Sequence, residues 1–394
     1  KTAYEIKECD WSSDVCSSDL GSLAAIEPYA VAGLHVCGLG DVASQLATGP
    51  AVLSLPVHES LGASAGYLAK FMERGGLIAW GAVSTTGPIT TSAERPWRAM
   101  GSDIHVIVVA DHSASRSGLS AEQLLGWAEA RIAGLEQRWS RFRTDSEVSR
   151  LNASAGGDGL HVSSDTALLI EHARLAWSMS GGMFDPTLLD ALRAAGYDRS
   201  FDDIEPDQPS GPVPVLRYDR PDCNDILIEP ADEGALVTFP ERLGFDPGGI
   251  GKGLTADLVT HDLLSMGAAG VCVNMGGDLR VAGVDPTGGA WTIGVDHPRC
   301  AEPITLVGLT GGAVATSTVL KRAWTNGGKR RHHLLDPHTL EPSDSDVALA
   351  TVIAGTAWEA EVLAKAALLR GVQRAFDLLR SEEHTSELQS HSFI

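Results

Sequence analysis

The sequence lacks long hydrophobic runs and an excess of basic residues. Within its 394 residues, no stretch reaches the roughly 20 consecutive apolar residues that a membrane-spanning helix needs. Lys and Arg number 30 against 51 Asp and Glu, which gives a formal net charge of -21. A chain this acidic is not expected to bind nucleic acid, because it has no cationic surplus to neutralise phosphates. Any phosphate-bearing ligand must be held locally, by backbone N–H groups, a few cations or a metal ion.

Cysteine is also scarce and follows no pattern. The six cysteines form no Cys-x-x-Cys pair and no dense framework, which favours buried or free thiols in a reducing compartment. No signal peptide is visible, so a cytoplasmic location is the favoured expectation. The compartment itself stays unknown, because the first residues do not read as a natural N-terminus.

The two ends of the chain read as translated adapter DNA. A common sequencing adapter encodes RSEEHTSELQS (380–390), and its reverse complement encodes DWSSDVCSSDL (10–20). We therefore expect residues 1–20 and 381–394 to be adapter-derived artefacts that are disordered. Like expression tags, they should take no part in the fold.

Residues 21–95 form a first block. Short apolar runs at 34–39, 51–57 and 77–83 predict buried strands, and 64–76 predicts a helix that ends at a glycine. Strand, helix and strand at this spacing are typical of βαβ units with parallel strands.

This first block resembles part of a cobalamin-independent methionine synthase-like barrel. In that resemblance His35 and Cys37 match a His-x-Cys zinc pair. A catalytic zinc site needs three protein ligands, so we expect these two side chains to be structural. The composition changes near 92–101, and a second domain covers 97–380. Two origins stay open for the junction, a natural gene fusion and a join made during sequence assembly.

The second domain has the pattern of an α+β fold. Residues 103–110 alternate as a strand does, and 120–142 predict a long amphipathic helix. Ser120 followed by Gln123 predicts a capping box at the start of that helix. The other predicted elements are a helix over 163–182, capped by Ser163 or Ser164, and a surface loop over 202–222.

A glycine-rich segment, FDPGGIGKGLTADLVTHDLL, precedes and enters a predicted helix at 245–264. The backbone N–H groups of such a turn can approach an anionic ligand at the helix N-terminus, although a glycine turn is as often purely structural. Lys252 is followed by Gly253 and not by Ser or Thr, so the segment is not a P-loop.

A histidine cluster follows in RHHLLDPHTLEP (331–342). Metal binding is one interpretation, but adjacent histidines on a strand point apart. A single histidine acting as a general base is the favoured interpretation, because its pKa lies near working pH.

Seven segments in this order resemble the ApbE family of flavin transferases, over essentially all of 97–380. The segments are WRAMGS (97–102), RFRTDSEVSRLN (141–152), GGMFDPTLLDALRAAGYD (181–198), DPGGIGKG (246–253), VNMGGDLRVAG (273–283), HHLLDPHT (332–339) and TVIAGTAWEAEVLAKAALL (351–369), the last matching the family's final helix. The resemblance implies an α+β fold with mixed sheets and flanking helices. It also implies Mg²⁺-dependent transfer of FMN from FAD to a threonine of an acceptor flavoprotein, with release of AMP.

The resemblance also implies roles for single residues. Those expected to border the flavin are Met100, Phe142, Met183, Phe184 and Asp185, and those expected to contact FAD are Asp246 and Lys252. The magnesium positions are the backbone carbonyl of Gly249 and the side chains of Glu361 and Lys365. His333 matches the general base, with Asp336 beside it.

Lys365 is the main departure from the family pattern, which has threonine there. A protonated lysine cannot ligate Mg²⁺, although it could contact the pyrophosphate directly. Smaller departures are Glu361 for aspartate, Leu340 for glycine and Phe142 for tyrosine. Besides the transferase, two alternatives stay open. One is a flavin-binding protein without transfer activity or a FAD pyrophosphatase, and the other is a methionine synthase-like fragment with an inert passenger.

Overall fold

The computed structural model describes residues 91–111, 118–205 and 220–375. The backbone alone is described for residue 90 and for five short strands at 33–35, 52–56, 77–81, 207–208 and 392–393. The chain divides into two units, Lys1–Thr86 and Gly87–Ile394.

Three parallel strands form the described part of the first unit. They are β1 (Gly33–His35), β2 (Val52–Pro56) and β3 (Leu77–Gly81), paired in the order β1–β2–β3. Parallel pairing agrees with the βαβ pattern, because parallel neighbours need long crossover connections. The predicted helix at 64–76 and Cys37 lie outside the described residues, and the barrel-fragment origin of this block stays a prediction.

The second unit has six α-helices and fifteen strands within the described residues. The helices are α1 (Ala121–Trp139), α2 (Glu147–Ala153), α3 (Ser164–Met179), α4 (Leu189–Ala194), α5 (Gly251–Ser265) and α6 (Ala357–Arg370). The strands are β4 (Thr90–Ala99), β5 (Ser102–Asp111), β6 (Leu160–Val162), β7 (Asp207–Gln208), β8 (Leu227–Pro230), β9 (Ala235–Thr238), β10 (Ala268–Met275), β11 (Leu279–Gly283), β12 (Trp291–Val295), β13 (Thr305–Leu309), β14 (Gly311–Thr318), β15 (Ala323–Asn326), β16 (Lys329–His332), β17 (Leu349–Ala354) and β18 (Ser392–Phe393). Across the described residues, no helix combines the length and the apolar character that crossing a bilayer requires.

A seven-stranded antiparallel sheet lies at the centre of this unit, in the order β18–β17–β14–β11–β10–β5–β4. The smaller sheets are β12–β13, β16–β15–β7 and β6–β9–β8. In the second of these, β15 pairs in parallel with β7 and antiparallel with β16, so that sheet is mixed. The predicted α+β class, with mixed sheets and flanking helices, is confirmed.

Helices cover one face of the large sheet and a strand pair covers the other. Buried residues of β5, including Ile104 and Val106, pack with apolar residues of α1, α5 and α6 into one core. On the opposite face, Trp291 and Ile293 of β12 pack against β10 and β11 residues such as Cys272. The start of β5 alternates between buried and more exposed residues because one face is less covered there, whereas Val108, Val109 and Ala110 are all buried because both faces are covered.

The predicted helix caps are present. The Ser120 hydroxyl accepts the N–H of Gln123 at 3.3 Å, and the Gln123 side chain accepts the N–H of Ser120 at 2.9 Å. Ser163 caps α3 through the N–H of Thr166. The helix predicted over 120–142 ends at Trp139, because the backbone becomes extended at the next residue.

Helix α6 packs against α5 through its backbone. The Asp257 carboxylate of α5 accepts the N–H groups of Ala357 and Trp358 at 2.9 Å each, and so caps the start of α6 from a neighbouring helix. A side chain at Gly253 would not fit, because its Cβ would lie 2.5 Å from the carbonyl oxygen of Ala357. These contacts fix the start of α6 against the segment that begins α5.

Two boundaries differ from the sequence prediction. The junction expected between 95 and 97 falls inside β4, which pairs with β5 along its whole length, and the units divide between Thr86 and Gly87. Backbone pairing, which a change of composition does not reveal, holds this strand in the second unit. Segment 351–369, assigned to the last helix, begins as β17 because its first residues are largely β-branched.

Residues 381–394 lie mostly outside the described part of the chain. The exception is β18, whose backbone pairs with Val352 and Ile353 of β17. The predicted disorder of 1–20 and of this C-terminal segment stays a prediction.

Candidate functional site

One cavity of about 310 Å³ gathers residues from several separate segments of the second unit. This volume lies at the lower end of the range for small-molecule pockets. The lining includes the turn at Met100 and Gly101, the end of α1 with Arg141 and Phe142, the segment 183–186, Tyr197, the glycine turn 246–252, Arg322, His333 and Lys365.

An aromatic wall lies on one side of the cavity. The rings of Phe142 and Tyr197 have centroids 6.0 Å apart, and the Arg141 guanidinium carbon lies 4.2 Å and 4.6 Å from them. Arg141 also pairs with Asp246, at 3.4 Å from Nε to Oδ1. Phe142 is 42% exposed, so much of its ring is free to stack against a ligand.

Two sharp turns shape the neighbouring wall. Met100 follows β4 with a positive φ of 50°, and its N–H donates to Glu136 Oε1 at 2.8 Å. Phe184 follows α3, and its N–H donates to the Ser180 hydroxyl at 2.9 Å. Met100 is thereby held at the cavity by α1 and Phe184 by the end of α3, and Met183 lines the cavity beside them.

Asp185 lies at the cavity with its carboxylate already engaged. It accepts the N–H of Thr187 at 2.8 Å and the Thr187 hydroxyl at 2.5 Å, and it forms an ion pair with Arg220. This carboxylate therefore holds the turn in shape.

The glycine turn brings backbone close to the cavity at the start of α5. The Asp246 N–H donates to Pro186 at 2.7 Å, and its carboxylate accepts the N–H of Gly248 at 3.0 Å. The N-cap residue of α5 is Ile250, whose own side chain forms no capping hydrogen bond. Two first-turn N–H groups are nevertheless engaged, that of Gly251 by the Pro247 carbonyl and that of Gly253 by the Glu361 carboxylate, at 2.8 Å each.

Lys252 is the first of two lysines at the cavity, and carboxylates surround it. Its ammonium pairs with Asp278 and donates to Glu361 Oε1 at 3.0 Å. The second oxygen of Glu361 accepts the N–H of Gly253 at 2.8 Å. Burial lowers the pKa of Lys252, and Glu361 opposes that shift.

Lys365 is the second lysine, and its ammonium packs against the glycine turn. A Cβ at Gly249 would lie 1.8 Å from Lys365 Nζ, so the ammonium occupies the space that a side chain would fill. The ring of Phe184 lies 5.5 Å from the same nitrogen. Burial lowers the pKa of Lys365 to about 8, so the group is mostly protonated at neutral pH.

His333 lies at the cavity, whereas its neighbours in the histidine cluster do not line it. Its Nδ1 is buried and has no hydrogen-bond partner within the described residues. Burial, aided by the charges of Arg322 and Lys365, holds the pKa of His333 well below its ordinary value of 6.5. The imidazole is therefore neutral at pH 7 and has unused capacity to accept a proton.

The sequence model of the ApbE family matches residues 100–388. The chain belongs to the ApbE family. Among curated relatives, a protein of Treponema pallidum named FAD:protein FMN transferase is 28% identical over 256 residues, which is 61% of this chain and 69% of that one. A protein of Haemophilus influenzae with the same name is 24% identical over 289 residues, which is 71% of this chain and 81% of that one.

Solved ApbE structures share the fold. The ApbE protein of Thermotoga maritima superposes with a TM-score of 0.63 at 24% identity, covering 74% of this chain and 91% of that chain. The apo flavinyl transferase ApbE of Pseudomonas stutzeri superposes with a TM-score of 0.61 at 25% identity, covering 75% and 89%.

Most of the residues expected from the ApbE resemblance meet at this one cavity. Those that line it are Met100, Phe142, Met183, Phe184, Asp185, Asp246, Gly249, Lys252, His333 and Lys365. Glu361 is buried behind Lys252 and does not line the cavity. Asp336 does not line it either, because its carboxylate accepts the N–H of His338 at 2.8 Å and so shapes the turn.

The side chains at the implied magnesium position do not fit a divalent cation. Mg²⁺ needs free oxygen donors, but both oxygens of Glu361 are engaged, by Lys252 and by the N–H of Gly253. Lys365 places a positive charge where the resemblance expects a ligand. In the described ranges, no three His, Cys, Asp or Glu side chains are grouped to hold a metal ion.

Sequence reasoning did not single out three residues of the site, Arg141, Tyr197 and Arg322. Arg322 has a positive φ of 50° and donates to the Gly101 carbonyl at 3.1 Å and the Ser102 hydroxyl at 3.0 Å. The available signal was charge, because Arg141 and Arg322 are cations in an acidic chain, and Arg141 lies within a quoted family segment.

Proposed function

We propose that this ApbE-family chain is an enzyme that transfers the FMN portion of FAD to a threonine hydroxyl of an acceptor flavoprotein and releases AMP. The observation that carries the proposal is the content of the single cavity. An exposed aromatic ring, a glycine turn with a lysine beside it, and a neutral histidine line the same space. The names of the relatives support the same activity.

Different residues of the cavity bind the flavin and the phosphates. Phe142 offers a ring face for the flavin, held by Arg141 and Tyr197. The Lys365 ammonium beside the glycine turn and the Arg322 guanidinium suit the phosphates.

For this reaction the protein has to position FAD and the acceptor hydroxyl and to remove one proton from that hydroxyl. His333 accepts the proton of the acceptor hydroxyl, since its imidazole lines the cavity and is neutral. The hydroxyl oxygen forms a bond to the FMN phosphorus while the bond to the bridging oxygen breaks, and AMP leaves with the electron pair. Magnesium dependence is not part of the proposal, because the side chains at the implied position do not fit the ion.

The test mixes the full chain with FAD and an acceptor domain that carries the target threonine. Transfer predicts flavin fluorescence on the acceptor band of a denaturing gel and an equal amount of AMP in the supernatant. His333→Ala is expected to slow labelling by about 100-fold or more. His338→Ala is the matched control, because this exposed histidine lies outside the cavity lining.

Two results would replace the proposal. FMN and AMP formed without labelling of the acceptor would identify a FAD pyrophosphatase. Bound FAD with neither product would identify a flavin-binding protein without transfer activity.

A further inference from the structure

The two lysines of the cavity differ in whether the protein already neutralises them. Lys252 contacts two carboxylates, those of Asp278 and Glu361. For Lys365, no hydrogen bond or ion pair forms with any residue in the described part of the chain, although its nitrogen packs tightly against Gly249. Against the lowering effect of burial, the charges of Glu361 and Asp246 raise the pKa of Lys365, but neither carboxylate forms an ion pair or a hydrogen bond with the ammonium.

The surroundings of Lys365 leave one direction for an anion. Gly249 and the Phe184 ring close two sides of the ammonium, and the side chain lines the cavity. Arg322 also lines the cavity and bonds only to a carbonyl and a hydroxyl among the described residues. Two cations without carboxylate partners therefore face one space in a chain of net charge -21.

We infer that the Lys365 ammonium binds the diphosphate of FAD directly and takes the place of a divalent metal ion at this site. The inference rests on the proposed function, because it assigns the part of the site that receives the diphosphate. A diphosphate is a dianion, and charge-assisted N–H···O bonds from fixed cations are the contacts it requires. The contacts of Glu361 are consistent with this assignment, since each of its oxygens already accepts one hydrogen bond, from Lys252 and from the N–H of Gly253.

The test measures equilibrium binding at pH 7 with three ligands, in EDTA and in Mg²⁺. FAD carries both the flavin and the diphosphate. ADP carries the diphosphate without the flavin, and riboflavin carries the flavin without the diphosphate. For the unaltered chain, we expect the FAD dissociation constant to differ by less than about threefold between EDTA and Mg²⁺.

Lys365→Met keeps an unbranched side chain, one atom shorter, and removes its charge. We expect it to weaken FAD and ADP binding by about tenfold or more and to leave riboflavin binding unchanged. Lys329→Met is the matched control, because it makes the same change at an exposed position of β16 outside the cavity lining. If Lys365→Met does not fold, Lys365→Gln serves in the same assay, with riboflavin binding as the test of an intact site.

Two outcomes would overturn the inference. One is FAD binding that EDTA abolishes and Mg²⁺ restores, and the other is a loss of riboflavin affinity equal to the loss for ADP. The transfer assay separates this inference from the proposed function. Diphosphate binding that depends on Lys365, without labelling of an acceptor, would contradict the proposed transfer activity and support the inference. Labelling of the acceptor only in the presence of Mg²⁺ would support transfer and contradict the inference.

Discussion

Lys252 and Lys365 border the same cavity, but their neighbouring residues assign them different roles. Lys252 is the cation of a buried cluster with Asp278 and Glu361. Lys365 contacts the Gly249 backbone and the Phe184 ring, and no described carboxylate pairs with it. A buried cation that two carboxylates neutralise belongs to the structure of the protein, whereas an unpaired one at a cavity is available to a ligand. Residue type alone does not distinguish these two roles.

The largest expected effect breaks the Lys252 cluster. Lys252→Met would leave Asp278 and Glu361 as buried carboxylates without their cation, which should lower the free energy of unfolding by about 3–5 kcal/mol. Lys365→Met breaks no ion pair and should leave that free energy nearly unchanged. Denaturant unfolding of both variants, with Lys329→Met as the control, measures the difference. Equal losses for the two cavity lysines would contradict the comparison.

Gly249→Ala should displace the Lys365 ammonium without removing it. The added methyl would lie 1.8 Å from Nζ and 2.9 Å from Phe184 Cε2, so the flexible lysine has to move. We expect FAD affinity to fall by about tenfold, as in Lys365→Met, while stability falls by about 1–3 kcal/mol from overpacking. Gly126→Ala in α1 is the control, since a Cβ there meets nothing within 4 Å. Unaltered ADP binding in Gly249→Ala would show that the ammonium position is unimportant.

Phe142→Ala should have the opposite ligand dependence to Lys365→Met. Loss of the half-exposed ring removes a stacking contact of about 0.5–1.5 kcal/mol, which weakens riboflavin and FAD by about two- to tenfold. ADP binding should not change, because it lacks a flavin. Fluorescence titration of riboflavin and FAD, with calorimetry for ADP, tests the division of the cavity. A parallel loss for ADP would mean that Phe142 holds the site together as a whole.

The smallest expected effect is on the titration of His333. Burial and nearby cations hold its pKa well below 6.5, and Lys365 is one of those cations. Removal of that charge in Lys365→Met favours the protonated imidazole, so the pKa of His333 should rise toward its ordinary value. A general base accepts a proton only as the neutral ring, so activity would then decline at a higher pH as the solution is acidified. NMR titration of the histidine in the free protein measures the pKa, and a value at or above 6.5 in the unaltered chain would refute the neutral-base assignment.

Much of the site could be predicted from sequence because its residues lie in short motifs around turns. The DPGGIGKG segment supplies Asp246, Gly249 and Lys252 to one cavity edge. The starts of α1 and α3 were predicted equally well, since the caps Ser120 and Ser163 are local features. Local signals of this kind act within a few residues and do not depend on the rest of the fold.

The pairing of charges could not be predicted, because the partners are far apart in the chain. Lys252 and Glu361 are separated by 109 positions, and nothing near either residue indicates that they meet. For the same reason, Glu361 was expected at the metal and is instead buried behind a lysine. Asp336 was expected beside His333 in a catalytic role, but its carboxylate bonds within its own turn.

The cap that Asp257 places on α6 makes the length of this helix matter more than its composition. Ala357 is anchored to α5, and Lys365 follows eight residues later in the same helix. One residue inserted between them would turn the lysine by about 100° and carry it about 1.5 Å along the axis, away from Gly249. Substitutions on this stretch change one contact at a time, whereas an insertion or deletion moves the ammonium off the cavity altogether. The number of residues from Ala357 to Lys365 thus fixes the position of the ammonium. A change in this number should be tolerated less than a substitution between the two residues.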